Sequence, residues 1–134
     1  MNDSRFVDDA AIPNEADLWR RIPPWHFVSD ETTGGRRVSS AAFDNDPDGQ
    51  PMSVFLASVM EETCRGPADT VLGHVGFGLA SFTAGLARSC GQGVASDPEP
   101  DEPAHAVVFG RKTDSVRNKL RRGSRLLIVP TAAL

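Results

Sequence analysis

Cysteine is scarce in this chain of 134 residues: Cys64 and Cys90 are its only two, 26 positions apart. No second thiol lies near either, so spacing gives no argument for a disulfide, and both read as reduced thiols. The acidic neighbours Glu61 and Glu62 disfavour a thiolate at Cys64 and argue against a nucleophilic role. Long apolar runs are also missing. Nothing approaches the ~18 consecutive apolar residues of a membrane span. The N-terminus, MNDSRFVDDA, has neither the basic start nor the apolar stretch of a secretory leader, and the expectation is a cytosolic protein. There is no internal repeat. No serine sits in a G-x-S-x-G elbow, and Gly73, Gly76 and Gly78 fit neither phosphate-loop spacing.

What is present is close to globular average, with 40% hydrophobic and 24% charged residues. The charge is divided by position. Residues 1–110 carry seven basic and seventeen acidic side chains, whereas residues 111–134 carry seven basic ones and a single acidic one, Asp114. The acidic isoelectric point therefore hides a basic C-terminal segment: Arg111, Lys112, Arg117, Lys119, Arg121, Arg122 and Arg125. Such a segment can serve as a footprint for phosphates, nucleic acid or an acidic partner. It can equally be a solvated helix with its cations at the favourable negative end of the dipole. It contains no aromatic residue on which a base could stack.

Punctuation by proline and glycine organises the rest. Residues 1–14 are polar and acidic and read as a flexible N-terminus, with residues 15–134 as one domain. Leu18–Ile22 reads as a strand stopped by Pro23-Pro24. The Gly34-Gly35 turn leads into a second strand over Arg37–Phe43. Asp44–Gln50 is a turn-rich loop, and Met52–Leu56 a strand passing into a helix near Ala57 that ends at Gly66. Pro67–Leu72 reads as one helical turn, Phe77–Gly85 as a buried strand, and Ser96–Pro103 as an exposed acidic linker stiffened by proline. Ala104–Phe109 is a strand. Thr113 or Asp114 then caps a basic helix closed by Gly123, and Leu126–Val129 is a last strand. The order predicts an α+β fold, with a mainly antiparallel sheet and two main helices.

Few constellations carry chemistry. Asp44, Asp46, Asp48 and Gly49 match the first half of a calcium loop, but Phe55 stands where the bidentate glutamate belongs, so a hairpin loop is the reading and no metal is expected. His26, His74 and His105 show no ligand spacing. His105 is placed on a strand just after the acidic linker, where Asp101 or Glu102 could orient its ring for general acid or base work.

Leu18-Trp19-Arg20, then Gly34-Gly35-Arg36, then Val54-Phe55-Leu56-Ala57-Ser58 with Glu61 or Glu62, occur in that order. This series resembles the N-terminal half of RES-type toxin domains, distant relatives of ADP-ribosyltransferases that degrade NAD. The resemblance implies that Arg20 binds the NAD phosphates and that Glu61 or Glu62 stabilises an oxocarbenium-like transition state; the nucleotide site expected on this reading is built from Arg20, Gly35, Arg36, Ser39 and Glu61 or Glu62. It also implies that an Arg20→Ala chain stays folded while losing its ligand. Phe55 stands in place of that family's tyrosine, and the glutamates come earlier in the helix than in the family. Beside this NAD-site reading stands a non-catalytic module of a small bacterial complex, of toxin–antitoxin or defence type, with the basic helix and the acidic linker as contact surfaces. Nucleic-acid binding through residues 111–125 is the third.

Overall fold

The computed structural model describes residues 5–130. These form eight strands and four α-helices arranged as an α+β fold. The strands are β1 (Asp17–Ile22), β2 (Phe27–Ser29), β3 (Arg36–Val38), β4 (Met52–Leu56), β5 (Gly78–Thr83), β6 (Gly93–Ser96), β7 (His105–Phe109) and β8 (Arg125–Ile128). The helices are α1 (Ala57–Glu62), α2 (Pro67–Thr70), α3 (Ala84–Ser89) and α4 (Asp114–Gly123). Six strands make one sheet in the order β6-β7-β4-β1-β5-β8, and β2 pairs with β3 in a separate hairpin. Every pairing is antiparallel.

Alternation along the strands divides the apolar residues between two faces. Leu18 and Ile22 of β1, Met52, Val54 and Leu56 of β4, and Ala106 and Val108 of β7 point into the larger cluster. That face is covered by α3, by Val116 and Leu120 of α4, and by Phe43 and Val38. Trp19, Phe55 and Leu79 point the other way and meet Ala57 and Met60 of α1. The second face is covered less completely. The candidate site lies there.

Several boundaries differ from the sequence reading. The strand expected over Arg37–Phe43 is only Arg36–Val38, because the Ser39 hydroxyl accepts from Ala41 N–H and turns the chain into a 3-10 helix over Ser40–Phe43. Helix α1 stops at Glu62, short of Gly66. The Thr63 hydroxyl donates to the Val59 and Met60 carbonyls, and Cys64 turns left-handed at φ 58°. The supposed linker over Ser96–Pro103 joins the ends of a β6–β7 hairpin, with Ser96 opposite Ala106 and a further bridge between Glu99 and Glu102. Strand β6 itself was not anticipated. Only Val94 and Ala95 in Gly-Val-Ala-Ser carry an apolar signal. Two short helices, α2 and α3, accompany α1 and α4.

The N-terminal segment is tied down over its described part. Asp9 N–H donates to the Val94 carbonyl at 2.8 Å, the Asp8 carboxylate accepts from Val94 N–H and from Arg88, and Ile12 is buried in the larger cluster. These contacts fall within residues 5–14 of the segment expected as a flexible N-terminus, and residues 1–4 lie outside the described residues. Cys64 and Cys90 are unpaired. No helix among the described residues is long and apolar enough to cross a membrane.

Gly78 is required by space rather than by backbone angle. A Cβ on Gly78 would fall 2.7 Å from the Phe27 ring and 2.8 Å from the Ile128 carbonyl oxygen. The backbone of β8 cannot yield without losing its pairing to β5. Gly78→Ala is therefore expected to destabilise the fold by about 1–3 kcal/mol, read as a lowered urea midpoint at unchanged slope. An unchanged midpoint would show that β8 is not held against β5 as described.

Candidate functional site

On the less covered face, β1, β4 and β7 contribute neighbouring side chains from a fixed register. Trp19 faces Phe55 across β1–β4, and Phe55 faces His105 across β4–β7. Arg21, two residues beyond Trp19, shares their face. Its guanidinium sits over the Phe55 ring, 5.1 Å from the centroid, and touches the His74 imidazole. Burial is the main influence on Arg21 and works against its charge. A cleft of about 260 Å3 opens here, lined by Arg21, Phe55 and His105 from the sheet and by Leu72, Glu99 and Asp101 from the flanking loops. A second cleft of about 230 Å3 adjoins it and shares Glu99 and His105.

The hairpin loop over 97–104 forms one wall and is held by a bidentate ion pair. Arg65 donates to both carboxylate oxygens of Glu102, at 2.7 and 2.6 Å, and Ala104 N–H donates to the same carboxylate. The Arg65 hydrogen bond, aided by that amide, holds the Glu102 carboxyl below the usual carboxylate range. Glu102 is thus committed to Arg65 and does not orient His105, contrary to the sequence expectation; Asp101 does not orient it either. Asp97 does. The His105 Nδ1 lies 2.8 Å from the Asp97 carbonyl and 3.3 Å from its carboxylate, and Nε2 lies 3.2 Å from the Ser53 hydroxyl. A carbonyl only accepts, so Nδ1 carries the proton and Nε2 presents its lone pair to Ser53.

The residues grouped by the resemblance do not gather in one place. Arg20 alternates with Arg21 and turns to the opposite face. Its Nε donates to the Ala42 carbonyl at 3.0 Å, one terminal nitrogen to the Asp46 carboxylate and the Ser53 carbonyl at 2.9 Å each, and the other to the Asp44 carbonyl at 3.4 Å. Glu61 and Glu62 are exposed on α1, which packs through Ala57 and Met60 on the same face of the sheet as the cleft but turns both carboxylates to solvent. Gly35 and Arg36 belong to the β2–β3 hairpin, where Arg36 donates to the Phe27 carbonyl. Ser39 caps the 3-10 helix. None of these lines either cleft. His105 does, as do Asp101 and Glu102, the expected partners of its ring, in the first cleft and Asp46 in the second, whereas Arg21, Ser53 and Asp97 were missed. The signal for Arg21 was available in principle: in a period-two strand, Trp19 and Arg21 must share a face.

The histidines do not meet. His26 is held in a 3-10 turn, with burial the main cause lowering its pKa, and His74 contacts Arg21. The Asp46 carboxylate is bound to Arg20 and Ser53 N–H, and that of Asp44 to Asn45 N–H and Arg117. Among the described residues no group of three or more His, Cys, Asp or Glu side chains gathers as a metal site. Compared with known protein families, characterised proteins and solved structures, the chain matches none.

The basic segment divides in two. Lys112 and Arg117 turn inward: the Lys112 ammonium donates to Asn45, Val108 and Gly110, and Arg117 donates to the Lys112 carbonyl and pairs with Asp114. Arg111, Lys119, Arg122 and Arg125 are exposed and Arg121 partly so. Their side chains make no hydrogen bond or ion pair with other described residues.

Proposed function

We propose that the cleft over Phe55 binds a nucleotide of NAD type and cleaves its N-glycosidic bond. The observation that carries this reading is the pairing of one cation with an acidic rim in a single small cleft. Arg21 offers a planar fork suited to a pyrophosphate. Glu99 and Asp101 line the same cleft, where they would stabilise a cationic base and the positive charge that develops on the sugar during glycosidic cleavage. The Phe55 ring supplies an apolar floor. The resemblance to RES-type domains supports the same chemistry, with Arg21 taking the phosphate role first assigned to Arg20, and the hairpin carboxylates taking that of Glu61 or Glu62.

The test is a thermal-shift and product assay with NAD on the full chain. At a hundred times its dissociation constant the ligand should stabilise the fold by about 2.7 kcal/mol, and nicotinamide should accumulate. Arg21→Gln should remove both effects while leaving the unliganded midpoint almost unchanged. No shift with NAD, or a shift indifferent to Arg21→Gln, sinks the reading.

The cations Arg111, Lys119, Arg121, Arg122 and Arg125, unpaired among the described residues, favour a second reading, an acidic partner protein docking on α4 and the adjoining end of β8. Binding by such a partner would weaken steeply with salt and would not involve Arg21. Duplex DNA or RNA binding in its place would redirect this reading to nucleic acid.

A further inference from the structure

We propose that Ser53 is an activated nucleophile, with His105 as its general base and Asp97 as the group that fixes the ring, and that the second cleft takes a small carboxylic ester lacking negative charge. The inference does not rest on the nucleotide reading, because its reacting atom lies in the other cleft.

Three distances carry it. Ser53 Oγ is 3.2 Å from His105 Nε2, Nδ1 is 2.8 Å from the Asp97 carbonyl, and the Asp97 carboxylate is 3.3 Å from the same nitrogen. Nucleophile, base and orienting group are thus in hydrogen-bond sequence, with the tautomer fixed so that the base faces the hydroxyl. The pair is positioned by sheet register rather than by a strand–helix elbow. Ser53 lies opposite Val107 on β7, so His105 is its diagonal neighbour on the same face. The backbone of Ser53 is clamped from both sides, its N–H by the Asp46 carboxylate and its carbonyl by Arg20. The His105 side chain is only 15% exposed, whereas that of Asp97 is 44% exposed, so the carboxylate reaches water while the imidazole is shielded. Among the described residues the cleft in front of Ser53 is lined by Asp46, Gln50, Asp97 and Glu99 and by no lysine or arginine, with Asp46 paired to Arg20 and Gln50 accepting from Arg5. Asp97 and Glu99 disfavour anionic substrates there.

In the reaction, Ser53 Oγ bonds to the ester carbonyl carbon as its proton passes to His105 Nε2. The carbon–alkoxide bond then breaks, and the alcohol leaves with that proton. Water attacks the acyl-serine, gives its proton to Nε2, and releases the acid as Ser53 Oγ is reprotonated. The balance is ester plus water to acid plus alcohol, with no redox partner.

A fluorophosphonate probe tests this on the full chain. Its phosphorus–fluorine bond breaks as an Oγ–phosphorus bond forms and fluoride leaves. Mass spectrometry should find one label per chain, on the peptide containing Ser53, and none in Ser53→Ala. In His105→Gln labelling should slow by roughly a hundredfold or more. Should that variant fail to fold, the wild-type labelling rate against pH decides the matter: a general base requires it to fall as the pH is lowered. Absence of label at Ser53, a rate unchanged in His105→Gln, or a flat pH profile would each overturn the proposal.

Discussion

Replacing Arg20 by methionine is expected to cost the protein about 3 kcal/mol of stability, whereas replacing the adjacent Arg21 should cost no more than about 1 kcal/mol. The two differ by one position in sequence and by a whole face of the sheet. Arg20 is enclosed: its side chain is 15% exposed, and its guanidinium bonds three backbone carbonyls and the Asp46 carboxylate. Removing it leaves those acceptors facing an apolar side chain. The Asp46 carboxylate, one-quarter exposed, recovers part of its solvation from water, which keeps the estimate below that for a fully buried pair. Arg21 rests on the Phe55 ring, an interaction worth about 0.5–1 kcal/mol at exposed sites and about 2 kcal/mol when desolvated, and removing the side chain also relieves the cost of burying its charge, which keeps the net loss small.

For a domain of this size, 3 kcal/mol corresponds to a fall of about 10 °C in the thermal midpoint. Calorimetry on Arg20→Met and Arg21→Met side by side is the measurement. The expected result is a large fall in the first and almost none in the second, with nucleotide binding showing the opposite ranking. This reverses the outcome implied by the family resemblance, in which the Arg20 variant stays folded and merely loses its ligand. Equal midpoints for the two variants would mean that Arg20 does not organise the 42–46 segment.

The same pair of arginines shows where a sequence stops being legible. That Leu18–Ile22 is a strand follows from its length and the Pro23-Pro24 stop. Which of two consecutive arginines faces the cleft depends on what covers each side of the sheet, and that is decided by α1 and α4, far away in sequence. Local chemistry was readable where one residue acts on its own neighbours. Examples are Thr113 capping α4 through Val116 N–H, and Val116 with Leu120 forming the buried stripe. Ser53 and His105 are 52 residues apart, and only the register of β4 against β7 brings them together. Strand β6 was missed for a related reason. Its Gly93 is excluded from carrying a side chain by the Phe109 ring, 2.2 Å from where a Cβ would be, so the position fits the sheet without advertising it. The expected partner of His105 was Asp101 or Glu102; the sequence gives no sign that Asp97, in the same loop, is the one the hairpin brings to the ring, or that Arg65 holds Glu102 away from it.

Stability should rise as the pH is raised from about 8 towards 10.5, by about 3 kcal/mol in all, because of Lys112. This lysine is 6% exposed, and its ammonium donates to Asn45 Oδ1 at 2.7 Å and to the Val108 and Gly110 carbonyls at 2.9 and 3.2 Å. Three neutral acceptors satisfy its donors without replacing the solvation it loses. Burial therefore pulls its pKa down to about 8, opposed by Asp44 and Asp46 and assisted by Arg20. The sign follows from proton counting. Below pH 8 the lysine is charged in both states, and folding must bury that charge. Between about 8 and the unfolded value near 10.4 the unfolded chain holds the proton and the folded chain has released it, so raising the pH favours folding. The chain has only one other lysine, Lys119, which is exposed on α4, and no tyrosine to obscure the range. A 13C titration of the two lysine side chains should separate them, with Lys112 changing first, and urea midpoints should climb over the same interval. Two resonances titrating together, or a stability that falls steadily above pH 8, would show that Lys112 is not enclosed between Asn45 and the end of β7.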